Sequence, residues 1–223
     1  MKVRPRINRE RQNQILEAAA HVIADRGLSD TRIADIAERA GTSAALIIYY
    51  FDSKERLLTE ALAYAEDQFY LYTFHELTGI ESARGRLERL IELSFPPGEG
   101  ARGGIAWDWT LWIELWSRAV RDQAAARNRE ALDRRWRATI ADIIRSGIRS
   151  GEFNEEVDPD EFTLHLSAVL DGLAIQLLLK DREVTTARAR RLCYELARRE
   201  LGLEGRSGFD QVDGDLVQPA RRA

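Results

Sequence analysis

Residues that interrupt helices fall between stretches whose apolar side chains repeat with the period of an α-helix. Only five prolines and fifteen glycines occur in the 223 residues, and they gather mainly in the gaps between these stretches. An all-β sandwich needs turn residues roughly every 8 to 12 residues, which this chain lacks. The placement therefore predicts an all-α fold of about nine helices.

Two short helices are predicted near the N-terminus. Apolar residues at helical spacing begin at Ile15 and continue to about Arg26, where Gly27 supplies a stop signal. Thr31 is expected to cap a second helix, which is expected to end at Gly41 in a left-handed conformation.

A third short helix and a long fourth helix follow. Thr42 and Ser43 can cap the third helix, and Asp52 with Glu55 three residues later is typical of the start of a fourth. The fourth helix keeps one apolar stripe over residues 53–77. The second helix, the glycine turn and the third helix have the spacing of a helix-turn-helix, whose last helix enters the major groove of DNA. Five more helices are predicted at about residues 82–95, 105–121, 123–149, 159–180 and 185–201.

The distribution of charge favours DNA binding by the N-terminal region. The formal net charge of −4 argues against general nucleic-acid binding. Residues 1–11, however, hold five basic residues and one acidic residue, a local charge of +4. In this basic arm, Arg4 and Arg6 are expected to follow the phosphate backbone or the minor groove.

The third predicted helix carries residue types that suit contact with DNA. Its first residues are small or polar, which lets a helix sit close to base edges, and tyrosine and lysine side chains suit phosphate oxygens. A small α-hairpin without a DNA-binding role, with tyrosines that pack the domain, is the alternative. The residues concerned are Thr42, Ser43, Ala44, Ala45, Tyr49, Tyr50 and Lys54.

Residues 12–62 resemble, without a gap, the DNA-binding domain of TetR/AcrR-type transcriptional regulators. The resemblance rests on I-A-E-R-A-G-T-S at 36–43, the aromatic run that ends at Phe51, and S-K-E-R-L at 53–57. Ile48 stands where the family usually has a tyrosine, so the DNA contact of that tyrosine cannot be transferred. The resemblance implies a DNA-facing set of Thr31, Arg32, Thr42, Ser43, Ala44, Ala45, Tyr49, Tyr50 and Lys54.

Residues 105–201 are similar to the C-terminal domain of BetI-type members of the same family. The similarity implies an all-helical domain that binds a ligand and forms a dimer. The predicted organisation is then a DNA-binding domain with a basic arm at 1–52, a ligand-binding and dimerisation domain at 53–201, and a disordered tail at 202–223.

The sixth predicted helix is apolar on more than one face. Three tryptophans lie at i, i+3 and i+7, and two leucines form a neighbouring stripe. Aromatic walls with few polar groups are typical of small-molecule pockets, and plain core packing is the alternative. Polar residues in the apolar eighth helix either bond a neighbouring helix or face a ligand. The predicted effector-binding residues are Phe69, Tyr72, Trp109, Trp112, Trp116, Trp136, Asp171 and Gln176.

The last two predicted helices have spare apolar faces. Small residues on the eighth helix permit the close approach of another helix, and two such helices per subunit suit a two-fold four-helix interface. Packing within one subunit is the alternative. The predicted homodimer interface consists of Leu164, Ala168, Gly172, Ile175, Leu192 and Leu196.

The pattern predicts a binding protein rather than an enzyme. One cysteine and three scattered histidines do not have the spacing of a metal site, and no nucleophile, base or carboxylate pair is suitably placed for a catalytic site. No cofactor is expected. Because no uncharged apolar stretch reaches the roughly eighteen residues of a membrane span, a cytoplasmic location is expected.

The expected function is that of a repressor that responds to a ligand. It would bind a palindromic operator in double-stranded DNA as a homodimer and leave when a small-molecule effector binds. The sequence does not identify the effector. A regulator that activates transcription, or one that acts without a small ligand, is the alternative.

Overall fold

The computed structural model describes residues 9–95 and 109–203, which form nine helices and no strand. This confirms the predicted all-α fold and the number of helices. Arg4 and Arg6 lie outside the described residues, as does most of the predicted tail. The helices are α1 (Arg9–Asp30), α2 (Ile33–Arg39), α3 (Ala44–Phe51), α4 (Lys54–Leu77), α5 (Ala83–Ser94), α6 (Trp109–Ala119), α7 (Gln123–Ser150), α8 (Pro159–Leu178) and α9 (Thr186–Leu201).

The described chain divides into two compact units. The first unit consists of residues 9–75 and 109–132, and the second of residues 76–95 and 133–203. The first unit extends beyond the predicted boundary after residue 52, because α4 and α6 supply side chains to the same core as α1, α2 and α3. The proposed division of function between residues 1–52 and 53–201 stays a prediction.

The core of the first unit is built by one face of each of its helices. The first three helices bury too little apolar surface to form a stable core alone, so α4 and α6 complete it. Its innermost side chains include Ile15 and Ile23 of α1, Ile36 of α2, Ile47 and Phe51 of α3, Leu57 and Ala61 of α4, and Leu111 and Leu115 of α6.

α1 continues past its predicted end. Gly27 has a positive φ of 79° and kinks the helix, which then runs on to Asp30. The prediction that Thr31 caps α2 is wrong, because Arg32 is the N-cap residue and makes no side-chain cap bond. The Thr31 side chain is instead buried, and its hydroxyl donates to the Gly27 carbonyl oxygen at 2.7 Å. This hydrogen bond therefore joins the kink of α1 to the residues just before α2.

Serine hydroxyls cap the starts of α3 and α4. Ser43 is the N-cap residue, as predicted, and its hydroxyl accepts from the Leu46 amide at 3.2 Å. At the start of α4 it is Ser53, rather than the predicted Asp52, whose hydroxyl accepts from the Arg56 amide. Asp52 ends α3 with a φ of 62°, and its carboxylate pairs with Arg56 at 2.6 Å. That ion pair replaces the predicted cap.

The second unit packs α5, α8, α9 and residues 133–150 of α7 around its own core. Phe162 and Leu166 of α8 are fully buried there, and Cys193 of α9 is buried as a small apolar residue. Burial raises the pKa of the Cys193 thiol to about 12, so the reactive thiolate is disfavoured. Leu203 is also buried, so packing extends one residue past the predicted start of the tail at residue 202.

A carboxylate from the loop after α7 caps the start of α5. Glu152 accepts from the Ala83 and Arg84 amides, each at 3.0 Å, and from the Ser150 hydroxyl at 2.8 Å. Burial alone would raise the pKa of Glu152, but the hydrogen bonds from the Arg84 and Ala83 amides outweigh it and lower the pKa. The ionised carboxylate thus stabilises the second unit.

Replacing Glu152 with alanine should lower the free energy of unfolding by about 1 kcal/mol, the usual cost of losing a helix cap. This loss of stability should be complete above about pH 4.3, the pKa of a glutamate in the unfolded chain. It should disappear as the pH falls through the lowered pKa of Glu152 in the folded protein. Urea unfolding at neutral pH and at about pH 3 measures this. Glu155→Ala, at an exposed position in the same loop, is the control and should change little. Equal losses for the two variants would contradict the role of Glu152.

Candidate nucleic-acid interface and ligand site

A tight glycine turn positions α3 after α2. Gly41 has a φ of 58°, a conformation that side chains other than glycine rarely adopt. The Thr42 amide donates to the Ala37 carbonyl oxygen at 2.9 Å, which closes the turn. The Arg11 guanidinium donates to the Gly41 carbonyl oxygen at 2.8 Å and so attaches α1 to the turn. The prediction did not include Arg11 in the site, although it belongs to the basic arm.

α3 has one buried face and one exposed face. Ile47 and Phe51 are fully buried and hold the helix on the core. The opposite face is exposed and consists of Ser43, Ala44, Ala45, Ile48 and Tyr49. A short helix supported from behind, with its outer face in solvent, is the arrangement that inserts into the major groove of DNA.

The predicted DNA-facing residues divide by burial. Arg32 is exposed like the outer face of α3, whereas Thr42 and Lys54 are partly exposed at their helix starts. Tyr50 is half-buried against the core, and its ring meets that of Tyr49 edge-on at 5.8 Å. The inclusion of Thr31 is wrong, because its side chain is fully buried and bonded to the backbone.

Ion pairs leave two basic side chains available at this surface. Arg26 pairs with Asp35 and Arg39 pairs with Asp25, each at 2.8 Å, which ties α1 to α2. Neither Arg32 nor Lys54 has an ion-pair partner among the described residues. Their charges can therefore neutralise phosphate groups without first breaking a bond to the protein.

Aromatic side chains of α4 and α6 cluster in the first unit. Leu111 and Leu115 of α6 belong to the core, whereas the three tryptophans are only half-buried. The ring of Phe69 meets that of Trp112 edge-on at 5.8 Å, and Trp109 meets Trp116 at 6.3 Å. The structure thus brings four of the predicted effector residues together in two ring pairs. Tyr72 is exposed on α4.

One polar atom in this aromatic cluster is unsatisfied. The indole nitrogen of Trp116 is buried and has no hydrogen-bond acceptor among the described residues. A buried donor without an acceptor costs about 1 to 3 kcal/mol, so it is normally explained by a ligand or water. The cluster therefore offers apolar rings and one free donor.

The other predicted effector residues lie in the second unit. Trp136 and Asp171 are half-buried there. Gln176 is exposed on α8, and its assignment to the effector site stays a prediction. His165 is also exposed, and its ring nitrogens lie 3.5 Å from the Glu200 carboxylate and 3.7 Å from that of Glu161. Both polar side chains lie on the outer side of α8, where water solvates them. No group of three or more metal-ligating side chains occurs within residues 9–95 and 109–203.

α6 contacts the kink of α1 directly. The Thr110 hydroxyl lies 3.5 Å from the Ala24 carbonyl oxygen. A Cβ atom on Gly27 would lie only 2.8 Å from the Glu114 carboxylate, so glycine leaves room for that side chain. Because the Gly27 carbonyl also accepts from Thr31 at the start of α2, one short chain of contacts joins α6 to the helix-turn-helix.

The outer face of the second unit is apolar along α8 and α9. Leu164 is 50% exposed and Leu192 is 38% exposed. The predicted interface residues Ala168, Gly172, Ile175 and Leu196 are exposed or half-buried on the same two helices. By length and composition α8 could cross a membrane, but the core helix of a soluble protein passes the same test. A third of this apolar stretch is buried within the chain, and its other residues are half-buried or exposed.

Two family profiles match this chain and together include most of it. Residues 15–61 match the family described as bacterial regulatory proteins of the tetR family. Residues 83–202 match the family described as the C-terminal domain of BetI-type transcriptional repressors. The first match contains the helix-turn-helix, and the second contains α5 to α9.

Characterised relatives and solved structures agree with these profiles. The transcriptional regulator BetI 1 of Chromohalobacter salexigens is 27% identical over 192 residues, which is 86% of this chain and 90% of the relative. The repressor KstR2 of Rhodococcus jostii is 27% identical over 66% of this chain and 70% of its own length. A transcriptional regulator from Saccharomonospora viridis, solved in complex with choline, is 34% identical, with a TM-score of 0.78 over 87% of this chain and 98% of that one. The helix-turn-helix, the two profile matches and these relatives show that the chain belongs to the TetR family of bacterial transcriptional regulators, with a C-terminal domain of the BetI type.

Proposed function

We propose that this regulator is a repressor that binds a palindromic operator as a homodimer and is released by a small cationic effector. The exposed outer face of α3, supported by the buried Ile47 and Phe51, is the observation that carries DNA binding. Because its family consists of DNA-binding regulators, the chain is not an enzyme. A cytoplasmic location, where the operator is found, is part of this proposal.

The proposed homodimer forms through the apolar face of α8 and α9. Two copies related by a two-fold axis would each cover the exposed leucines of the other. The pair of recognition helices would then reach two half-sites about one helical turn, roughly 34 Å, apart. The two-fold symmetry of the protein is the reason to expect a palindromic operator.

The proposed effector is a quaternary ammonium compound of the choline type. The relative from Saccharomonospora viridis that shares 34% of its residues with this chain binds choline. The paired rings of Phe69, Trp109, Trp112 and Trp116 suit such a ligand, because aromatic faces attract quaternary ammonium groups. The free indole N–H of Trp116 could donate to the ligand's hydroxyl oxygen. Trp136 and Asp171 stay predicted effector residues of the second unit.

Release requires that the effector prefer the arrangement that does not bind DNA. Two chains of contacts within the first unit can transmit a movement of the effector site to α3. A ligand that moves Trp112 displaces Phe69, which lies on the same helix, α4, as Lys54. The same movement of α6 shifts Glu114 against Gly27 at the kink of α1. Either route changes the position of the recognition helix.

Lys54→Ala should weaken binding to every duplex and make binding less sensitive to salt. Each lost phosphate contact lowers the slope of log affinity against log salt by about 0.9, so a dimer should lose about 1.8. Fluorescence anisotropy over a range of salt concentrations measures the slope. Lys180→Ala, which removes an exposed lysine from the second unit, is the matched control and should keep the wild-type slope. A Lys54 variant with an unchanged slope would remove this residue from the interface.

A further inference from the structure

The outer face of α3 is unusually apolar for a surface meant to read hydrogen-bonding groups. Of its exposed side chains, only Ser43 and Tyr49 carry a hydroxyl, and Ser43 already caps the helix. Ala44 and Ala45 offer a methyl group each. Ile48, at 40% exposed, is the largest purely aliphatic side chain on this face.

Ile48 is not one of the residues that form the core of the first unit. The side chains that anchor α3 are its neighbours Ile47 and Phe51, which have no exposed surface. An exposed isoleucine keeps apolar area in water, and this area is removed only when a partner covers it. The exposed part of the Ile48 side chain is therefore available to a bound partner.

The bound partner offers one kind of apolar group at this place. In the major groove, base edges present hydrogen-bond donors and acceptors, and the only apolar group is the 5-methyl of thymine. Ala44 precedes Ile48 by four residues and so lies on the same stripe of the helix. Its short side chain lets the backbone approach the base edges, which brings the longer Ile48 side chain within reach of them.

We propose that Ile48 selects thymine at one position of each half-site by packing against the thymine 5-methyl group. This inference rests on the proposed operator binding and adds the residue that sets one part of its specificity. Binding would bury the methyl group against the exposed side-chain carbons of Ile48. Removing a methyl group from either partner should therefore remove the same interaction.

Deoxyuridine, which is thymidine without the methyl group, tests this directly. An operator is first selected from a random duplex library with the wild-type protein, and each thymine is then replaced by deoxyuridine. One symmetric pair of positions should be sensitive, with affinity falling about 4-fold per half-site, the value of one buried methyl group at about 0.8 kcal/mol. Changing both half-sites should give a loss of about 15-fold.

The variant Ile48→Ala truncates the protein side of the same contact. It should bind the thymine operator more weakly than the wild-type and should no longer distinguish thymine from deoxyuridine at that pair of positions. Leu71→Ala, which truncates an exposed leucine on α4 of the same unit, should keep the full discrimination. Ile48→Val, which retains two methyl groups, should keep most of it. Circular dichroism checks that each variant is folded.

The outcomes separate the two proposals. If the wild-type protein enriches no sequence from the library, operator binding fails and the role of Ile48 fails with it. If a sequence is enriched but no thymine is sensitive to deoxyuridine, only the role of Ile48 is overturned. Unchanged discrimination by Ile48→Ala would overturn it as well, because the sensitive methyl group would then be read by another side chain.

Discussion

Gly172→Arg should convert the regulator to a monomer and lower its affinity for the operator by about 100-fold or more. Gly172 lies on the apolar outer face of α8, and a Cβ atom there would meet nothing within 4 Å in the chain itself. The single subunit should therefore accept the arginine, and its helix propensity should improve. In the proposed dimer, however, the two introduced arginines would be buried close to the two-fold axis. Burying their unpaired charges would cost several kcal/mol.

The loss of DNA affinity follows from the loss of linkage between half-sites. In a dimer, binding of the first recognition helix holds the second near its half-site at an effective concentration of about millimolar, which multiplies affinity by roughly 100 to 10,000. Sedimentation and anisotropy measure assembly and binding on the same samples. Gly172→Ala adds only a methyl group and should stay dimeric. A wild-type monomer at micromolar concentration, or a Gly172→Arg variant that remains dimeric, would refute the α8 and α9 interface.

Trp112→Ala should abolish the response to choline and leave operator binding without ligand almost unchanged. Saturating choline is expected to weaken wild-type operator binding by about 5- to 150-fold, the usual range of coupling between two sites. Trp112 contacts Phe69 through its ring, so its loss removes both a wall of the proposed site and the connection to α4. Trp112→Phe keeps an aromatic face and should retain a weaker response.

The role of charge can be separated from that of shape. 3,3-Dimethylbutanol has the shape of choline but carries carbon in place of the charged nitrogen, so it loses the cation–π attraction. It should bind the wild-type protein more weakly than choline does, as measured by calorimetry. If Trp112→Ala keeps wild-type choline affinity and response while only its melting temperature falls, the tryptophan is part of the core. If choline has no effect on the wild-type protein, the effector belongs to another chemical class.

Features that depend on neighbours in sequence were predicted correctly. The nine helices of residues 9–95 and 109–203 follow from apolar periodicity. The turn follows from the left-handed preference of Gly41, and the cap from the ability of the Ser43 hydroxyl to accept from the amide three residues later. These signals act within one or two turns of helix, so a linear sequence contains all the information they need. The Ser53 cap was missed in favour of Asp52, because two adjacent residues had equal capping ability and an ion pair with Arg56 decided between them.

Features that depend on distant parts of the chain were decided only by the tertiary structure. Thr31 has the composition of a DNA contact or a cap, but the kink at Gly27 turns a carbonyl towards it and the core covers it. Gln176 lies in an apolar helix, yet it faces outward because the buried side of α8 is set by its packing against α9 and α5. Periodicity alone identifies an apolar stripe, and only packing shows which stripe is covered within one chain. The sequence by itself thus determined the helices, the turn and the family. Only the tertiary structure decided that Ile48 is exposed, that the tryptophans of α6 are half-buried and that α8 keeps an uncovered face. The reason is that burial depends on contacts between residues far apart in the chain.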